Sequence, residues 1–336
     1  MVTFDPKAPP ATRQAAVAQL VADLSADTQP ILCGPWRSEV GFEVSYWTPF
    51  LAHLAATVPQ FDQRAVIVTR GGLAPLYATS ASRGYDLYAL RDVTEVRREN
   101  LYDLKFLNAG KTIKQLGMTP WDEQVLADAA DALGIGSVYH IVHPAWCYWA
   151  LAPYWEEAAG IQYVASLTDY APLPKIPFTC DLPPSYVAMK WYGRATFPYP
   201  HPDVARFVQD TVAKVAQQVP VVLLHAGSDH DDHVDIPIVG ENVHVLPADV
   251  PPEENLKLQA AVLGGAKAFI GTYGGVAQMA LRLGIPSVSF YAQWGGTAHA
   301  HLALSSWISK AFTVPFLVSS IGEVGLWRQV VSGKAA

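Results

Sequence analysis

Short apolar runs alternate with longer amphipathic stretches along the whole chain. Runs of β-branched residues that stop at Gly or Pro are typical of buried strands, and apolar positions three or four residues apart are typical of helices. In the N-terminal half, strand-like runs lie at residues 31–33, 65–69 and 137–143, and helical stretches lie at 11–24 and 46–57. This alternation predicts an α/β fold with a parallel sheet, whose ligands bind beyond the carboxyl ends of the strands.

The alternation stops at a proline-rich segment and then resumes. Residues 171–184, APLPKIPFTCDLPP, contain five prolines in fourteen residues, a density that neither a helix nor a central strand tolerates. We therefore predict two domains, residues 1–182 and 183–336. In the second domain, strand-like runs lie at 186–190, 220–227, 244–250, 266–272 and 286–291, helical stretches lie at 202–218, 252–263 and 275–283, and the last thirty residues are predicted to be helical.

Composition supports two globular domains and argues against some partners. The 336 residues exceed one typical domain, and 51% hydrophobic with 16% charged residues supply apolar material for packed cores. A net charge of -7 without a basic block argues against a nucleic acid partner. No apolar run is long enough to predict a transmembrane segment. Cys33, Cys147 and Cys180 are far apart and odd in number, which fits a reducing cytoplasm better than a disulfide framework.

The clearest motif is a strand that runs through Thr272, Tyr273, Gly274 and Gly275 directly into a helix. Glycines let the backbone turn sharply and approach a ligand, and the N–H groups at a helix start stabilise an anion such as a diphosphate. The spacing is neither the dinucleotide GxGxxG nor a P-loop. A tight strand-to-helix turn that binds no phosphate is an equally good interpretation of the motif.

Residues 270–291, IGTYGGVAQMALRLGIPSVSFY, resemble the donor site of GT-B glycosyltransferases, in particular the fucosyltransferase-like bacterial enzymes of polysaccharide biosynthesis. The resemblance extends to VAMKWYGRATFP at 187–198 and VVLLHAGSDHDDHVDI at 221–236, and more loosely to residues 34–51 and 143–155. It implies two Rossmann-like α/β domains with a cleft between them. A nucleotide-diphosphate sugar would be bound mainly by the C-terminal domain.

Two cations follow the first strand of the second domain. Arg can hold phosphate oxygens in a bidentate fork, and Lys supplies a point charge. The resemblance places this segment where related enzymes keep a basic residue against the donor pyrophosphate. It therefore implies donor binding by Lys190 and Arg194, with Arg194 as the first candidate; without it, solvated surface cations are the usual interpretation.

The loop after residues 220–227 is rich in imidazole and carboxylate groups. His225, Asp232 and His233 belong to a cluster that raises the question of a metal, since these are common metal ligands. The spacing is not that of a known zinc helix, so we predict no metal. We expect Asp232 or His233 to contact the ribose or base of the nucleotide, while a merely polar loop is the other interpretation.

The first domain offers candidates for a general base. Glu39 and Glu43 flank Val40-Gly41-Phe42 in a loop that opens a helix, and a carboxylate there can take the proton of an acceptor hydroxyl. Glu39 is the first candidate and Glu43 the second, although both could simply stabilise the helix start. His143 ends a strand, and histidine is a common general base, so it could orient or deprotonate the acceptor, while a satisfied interior His is the other interpretation.

The resemblance, together with these residues, implies a metal-independent, inverting glycosyltransferase that needs no cofactor beyond its nucleotide-sugar donor. The expected partners are that donor and a glycan or other hydroxyl acceptor, and a lipid-linked acceptor would bring peripheral membrane association. Two other functions fit the same sequence: a sugar-nucleotide epimerase, and a non-catalytic protein that binds carbohydrate or nucleotide.

Overall fold

The computed structural model describes residues 4–77, 83–107, 114–178, 181–224, 234–247, 249–293 and 298–324. The chain divides into two compact units. The first comprises Met1–Pro174 and Pro251–Lys257, and the second comprises Lys175–Val250 and Leu258–Ala336. The predicted boundary after residue 182 stays a prediction.

The first unit is built on a parallel sheet of four strands. They are β1 (Ile31–Cys33), β2 (Ala65–Thr69), β3 (Arg83–Asp86) and β4 (His140–Val142), in the spatial order β3-β2-β1-β4. Ile31 lies opposite Ala65 on one side and His140 on the other. Strands β1 and β2 are buried along their whole length, which is why they form uninterrupted apolar runs in the sequence.

Helices flank this sheet. Leu32, Val66 and Val68 of the sheet share one apolar core with Val125 and Leu126 of a flanking helix. The helices are α1 (Pro10–Ser25), α2 (Val40–Phe42), α3 (Thr48–Thr57), α4 (Phe61–Arg64), α5 (Val93–Tyr102), α6 (Pro120–Ala132), α7 (Pro144–Trp155) and α8 (Ile161–Ala165). Short π-helical segments lie at Glu43–Trp47 and Asp103–Leu107, and 3-10 turns lie at Ala74–Leu76 and Leu87–Ala89.

The second unit contains a parallel sheet of six strands and a small antiparallel pair. Its elements in chain order are β5 (Val187–Lys190), β6 (Tyr192–Gly193), α9 (Pro202–Ala216), β7 (Val221–Leu223), β8 (Val234–Asp235), β9 (Val243–Val245), α10 (Pro252–Gly265), β10 (Ala268–Thr272), α11 (Gly275–Arg282), β11 (Ser287–Tyr291), α12 (Ala298–Phe312) and β12 (Phe316–Ser320). The large sheet has the order β12-β11-β10-β5-β7-β9, and β6 pairs with β8.

This order is that of a Rossmann sheet. Numbered by their sequence within the sheet, the strands run 3-2-1-4-5-6, so the direction of winding reverses between β5 and β10. Helix α9 covers one face through Val204, Val208 and Val212, whose spacing of four residues puts them on one side of the helix. The predicted α/β class with two Rossmann-like sheets is confirmed.

Some predicted elements were wrong in extent or type. The run predicted as strand 137–143 forms only β4, at His140–Val142. The last thirty residues were predicted to be helical, but α12 ends at Phe312 and β12 follows at Phe316–Ser320. Pro315 explains the change, because proline disfavours helical geometry at the residue before it and β-branched Val314 favours extended backbone. No helix in the described part of the chain is long and apolar enough to cross a membrane.

Candidate functional site

The reversal of winding in the second unit marks the place where Rossmann sheets bind ligands. A crevice forms there because the connections of the neighbouring strands leave toward opposite faces of the sheet. Strands β5 and β10 pair in parallel with Gly271 opposite Lys190, so their carboxyl ends lie side by side. The predicted donor-binding segments, which follow these two strands, therefore meet at one edge of one sheet.

The residues of the turn after β10 have distinct surroundings. Thr272 is buried, and its hydroxyl accepts the Tyr192 N–H at 3.2 Å. The Tyr273 N–H donates to the Phe290 carbonyl at 2.8 Å, which ties the turn to β11. Gly274 is the N-cap residue of α11 and supplies no side-chain hydrogen bond, so helix α11 begins at Gly275 without a side-chain cap.

Arg194 lies beside the start of this helix. A Cβ atom built on Gly274 would stand 2.0 Å from the Tyr192 hydroxyl oxygen and 3.8 Å from Nη1 of Arg194. The guanidinium therefore lies close to the backbone at which α11 begins. The structure thus brings together two candidates, Arg194 and Gly274, that come from separate stretches of sequence.

The backbone of Arg194 is held by short-range pairing. Its N–H donates to the Phe197 carbonyl at 3.1 Å, and the Phe197 N–H donates back at 2.9 Å. The two residues before Arg194 form β6, which pairs with Val234 and Asp235 of β8. Arg194 itself is half-buried. This closed turn fixes the point from which the guanidinium extends.

Lys190 has protein partners for its charge. Its Nζ donates to the Leu224 carbonyl at 2.8 Å and lies 3.2 Å from Oδ1 of Asp235. The ammonium therefore links the ends of β5 and β7 to β8. Of the two predicted cations, Arg194 is the one placed against the start of α11.

The imidazole and carboxylate cluster cannot be placed in the same way. His225, Asp232 and His233 lie outside the described residues. Within the residues that are described, no group of three or more His, Cys, Asp or Glu side chains could hold a metal ion.

The first unit reverses its winding between β1 and β4, and the candidates of this unit follow these two strands. The loop after β1 carries Arg37, which the sequence analysis did not single out. Its guanidinium is buried and donates from Nε to Oδ1 of Asp122 at 3.0 Å and from Nη1 to Oδ1 of Asn100 at 3.0 Å. A third partner is Asp103, whose Oδ2 lies 2.7 Å from Nη2.

The side chains of Gln115 and Asn100 hold the backbone of this loop. Oε1 of Gln115 accepts the Arg37 N–H at 3.0 Å, and its amide nitrogen donates to the Pro35 carbonyl at 2.8 Å. Asn100 donates to the Arg37 carbonyl at 2.9 Å. The loop between β1 and α2 is therefore fixed by both its backbone and its one buried cation.

His143 belongs to this network. Its Nδ1 accepts the Ala145 N–H at 3.1 Å as the N-cap of α7, and its Nε2 lies 3.4 Å from Oδ2 of Asp122. Burial alone would raise the pKa of Asp122, but the Arg37 guanidinium and His143 outweigh burial and lower it. The side chain of His143 is buried, so both of its nitrogens face groups of the protein.

The two candidate glutamates have different surroundings. Glu43 is buried, and its Oε1 accepts hydrogen bonds from Thr69 at 2.5 Å and Tyr77 at 2.6 Å. Burial raises the pKa of Glu43, while the nearby Arg70 opposes that rise. Glu39 is partly exposed and is the N-cap residue of α2, yet its side chain makes no capping hydrogen bond. Glu39 is therefore the candidate with solvent-accessible surface.

Lys114 lies near Glu39 in an aromatic setting. Its Nζ stands 3.8 Å from the centre of the Phe42 ring and 5.1 Å from that of Trp155. Burial lowers the pKa of Lys114 to about 8, and the Glu39 carboxylate opposes this shift. A cation, a carboxylate and two aromatic rings thus meet at the start of α2.

Sequence reasoning missed Arg37, its partners and Lys114 for a physical reason. Arg37 is separated from Asn100 by 63 residues and from Asp122 by 85 residues. No local spacing reveals such a network. A usable signal was the position of Arg37 in the short loop that follows a buried strand, where a buried charged residue needs a partner.

The two sheets define an α/β protein with two Rossmann-like units. Solved structures with similarity to this chain include three glycosyltransferases. E. coli ADP-heptose lps heptosyltransferase II is 13% identical over 87% of this chain and 90% of that chain, with a TM-score of 0.41, and E. coli heptosyltransferase WaaC with ADP is 14% identical over 87% and 93%, with a TM-score of 0.43. The glycosyl transferase family 9 protein of Veillonella parvula DSM 2008 is 12% identical over 92% of this chain and 90% of that chain, with a TM-score of 0.42. No protein-family model matches the chain, and no curated protein does.

Proposed function

We propose that the chain is a glycosyltransferase that binds a nucleotide-diphosphate sugar at the winding reversal of the second unit. One observation carries the proposal: the Arg194 guanidinium stands 3.8 Å from the Cβ position of Gly274, at the uncapped start of α11. A guanidinium and a helix N-terminus both favour negative charge. Their convergence at a Rossmann switch point is suited to a diphosphate.

The proposed reaction moves the sugar from its diphosphate to an acceptor hydroxyl. The bond between the anomeric carbon and the β-phosphate oxygen breaks as the acceptor oxygen attacks, and the nucleoside diphosphate leaves with the bonding electrons. Arg194 and the N–H groups at the start of α11 would stabilise the charge that develops on the leaving diphosphate. This cation makes a metal-independent transfer chemically reasonable, and we propose an inverting outcome.

We propose Glu39 as the general base that receives the proton of the acceptor hydroxyl. Its carboxylate has exposed surface and lies near the Lys114 ammonium, whereas Glu43 is enclosed by Thr69 and Tyr77. His143 and Arg37 would act as positioning residues that hold the loop carrying Glu39. A cytoplasmic location, where nucleotide sugars are at hand, remains part of the proposal.

Removal of the Arg194 guanidinium tests the donor site. We expect one of GDP, UDP, ADP, CMP or dTDP to raise the melting temperature of the wild-type chain, because a ligand of the folded state stabilises it. Arg194→Ala should weaken the binding of that nucleotide by about tenfold to a hundredfold, which is the usual contribution of a hydrogen bond to a charged group. Arg206→Ala, which removes an exposed arginine of α9, should leave the affinity unchanged. Equal affinity in the wild type and Arg194→Ala would refute the assignment.

Product analysis then separates the transferase from the other two functions. A transferase releases the nucleoside diphosphate only when an acceptor is present, and it keeps this activity in EDTA. An epimerase changes the sugar of its donor without an acceptor. A binding protein does neither. In that case the wild type already shows no transfer activity, so Glu39→Gln causes no loss of activity.

A further inference from the structure

The outward side of α5 and the π-helical segment after it forms a distinct surface. Six residues on this side are exposed, in pairs that recur every four residues: Arg97 and Arg98, Leu101 and Tyr102, Lys105 and Phe106. We call these six the cationic apolar face. Leu101 is 54% exposed, Tyr102 48% and Phe106 63%, so three large apolar side chains stand in solvent along one stretch of ten residues.

The charge of this face is positive although the whole chain is acidic. The chain has a net charge of -7. Within the stretch from Arg97 to Phe106, Asp103 is buried against Arg37, and Glu99 is mostly covered, with Oε1 3.5 Å from Nε of Arg98. The exposed positions of the stretch are thus three cations and three apolar side chains. Such a face is complementary to an anionic surface that also accepts apolar groups.

Contacts within the face keep the rings and the cations together. The rings of Tyr102 and Phe106 have centroids 5.0 Å apart, and Nζ of Lys105 stands 5.1 Å from the Phe106 ring. From the inside, Asn100 and Asp103 bind Arg37 and fix the element to the unit. The exposed side chains therefore extend from a well-anchored scaffold.

We propose that the cationic apolar face binds the surface of a membrane that contains anionic lipids. The apolar side chains would enter the boundary between headgroups and acyl chains, and the cations would meet lipid phosphates. Tyr is well suited to this depth because its ring is apolar and its hydroxyl can remain hydrogen-bonded to water. Where the chain acts as the proposed transferase, the face would bring the first unit to a lipid-linked acceptor. Membrane binding itself needs no sugar nucleotide, so either proposal can fail alone.

Flotation with lipid vesicles tests the proposal on the full chain. We expect binding to phosphatidylcholine vesicles that contain phosphatidylglycerol, weaker binding at high salt, and little binding to phosphatidylcholine alone. Lys105→Gln should weaken binding about fivefold, as expected for one cation at an anionic surface. Phe106→Ser should weaken it about tenfold, because it removes a large part of the inserted apolar area.

Matched controls remove the same kinds of group from the second unit. Arg206→Gln and Val239→Ser change exposed residues outside the face, and both should bind vesicles like the wild type. Thermal unfolding of each variant shows that it is folded.

Three results would overturn the proposal. They are no binding of the wild type to anionic vesicles, unchanged binding in Lys105→Gln and Phe106→Ser, and a concentration-dependent dimer that Phe106→Ser dissociates. The last result would assign the face to contact between two copies of the chain.

Discussion

Because Gly274 has no side chain, Tyr192 and Arg194 can both approach its backbone closely. The space that its Cβ would fill is taken by the Tyr192 hydroxyl, and the same spot faces Arg194. Tyr192 is buried, and its backbone N–H donates a hydrogen bond to the Thr272 hydroxyl. The backbone at Gly274 is extended, so the glycine is required here by close approach rather than by a left-handed conformation.

Restoring a side chain at Gly274 should therefore strain the turn. We expect Gly274→Ala to lower the free energy of unfolding by about 1–3 kcal/mol, the usual cost of an overpacked site. Tyr192→Phe removes the oxygen that lies 2.0 Å from the new methyl group and leaves ring carbon Cζ at 3.3 Å. Urea unfolding should show that the double variant recovers much of the loss.

A control glycine separates this clash from a general effect of alanine. Gly117 has nothing within 4 Å of its Cβ position, so Gly117→Ala should be close to neutral. Strictly additive effects of Gly274→Ala and Tyr192→Phe would contradict the steric explanation.

Residue types alone could not rank the two glutamates of the first unit. Both stand near the start of a helix, and local sequence does not tell which one turns inward. The structure separates them through tertiary contacts, because Glu43 meets Thr69 and Tyr77 while Glu39 keeps exposed surface. The order of preference predicted from the sequence agrees with this exposure, and the role of Glu39 stays a prediction.

Elements that carry a strong local signal could be predicted from the sequence. Strand β2 has the predicted bounds, and β10 and β11 differ from prediction by one or two residues. Strand β3 was missed because Arg-Gly-Tyr-Asp has no apolar alternation. It is an edge strand whose extended backbone is stabilised by pairing with β2. The spatial order of strands was also beyond sequence patterns, since it depends on pairings between distant segments.

The loop between β1 and α2 depends on one buried cation. Arg37→Met should lower the free energy of unfolding by about 3–5 kcal/mol, because it leaves the carboxylates of Asp122 and Asp103 buried without their counter-ion. Asn100→Ala removes only a hydrogen-bond partner of Arg37 and should cost about 1–2 kcal/mol.

Chemical denaturation of purified variants measures both effects. Arg206→Met, on exposed α9, provides the matched control and should stay within about 0.5 kcal/mol of the wild type. A loss in Arg37→Met no larger than in this control would show that the network contributes little to stability.

At the scale of the whole molecule, Asp86 should make stability depend on pH. Its carboxylate accepts the N–H groups of Gly72 at 2.6 Å and Tyr88 at 2.9 Å. Burial nevertheless raises the pKa of Asp86 from 3.8 to about 6, and these donors only oppose the rise. Since the folded pKa exceeds the unfolded one, the contribution of Asp86 to stability is greatest below pH 3.8 and is lost as pH rises to about 6.

Asp86→Asn removes this contribution, together with the like-charge repulsion by which Asp86 helps to raise the pKa of Glu43. The difference in unfolding free energy between wild type and Asp86→Asn should change between pH 4 and 6 and be constant above, with the variant gaining relative stability as pH rises. Urea unfolding across this range provides the measurement. Asp122 does not interfere, because its lowered pKa puts its own transition in stronger acid. A pH-independent difference would contradict the prediction.

The span of 85 residues between Arg37 and Asp122 also has a consequence for biosynthesis. A ribosome that adds about 5–20 residues per second needs about 4–17 seconds to pass from one to the other. During most of that interval neither Asp103 nor Asp122 has been translated, so water must solvate the Arg37 cation. The loop that holds Glu39 therefore cannot reach its final form while β1 and β2 emerge, and it closes only after α6 has been made.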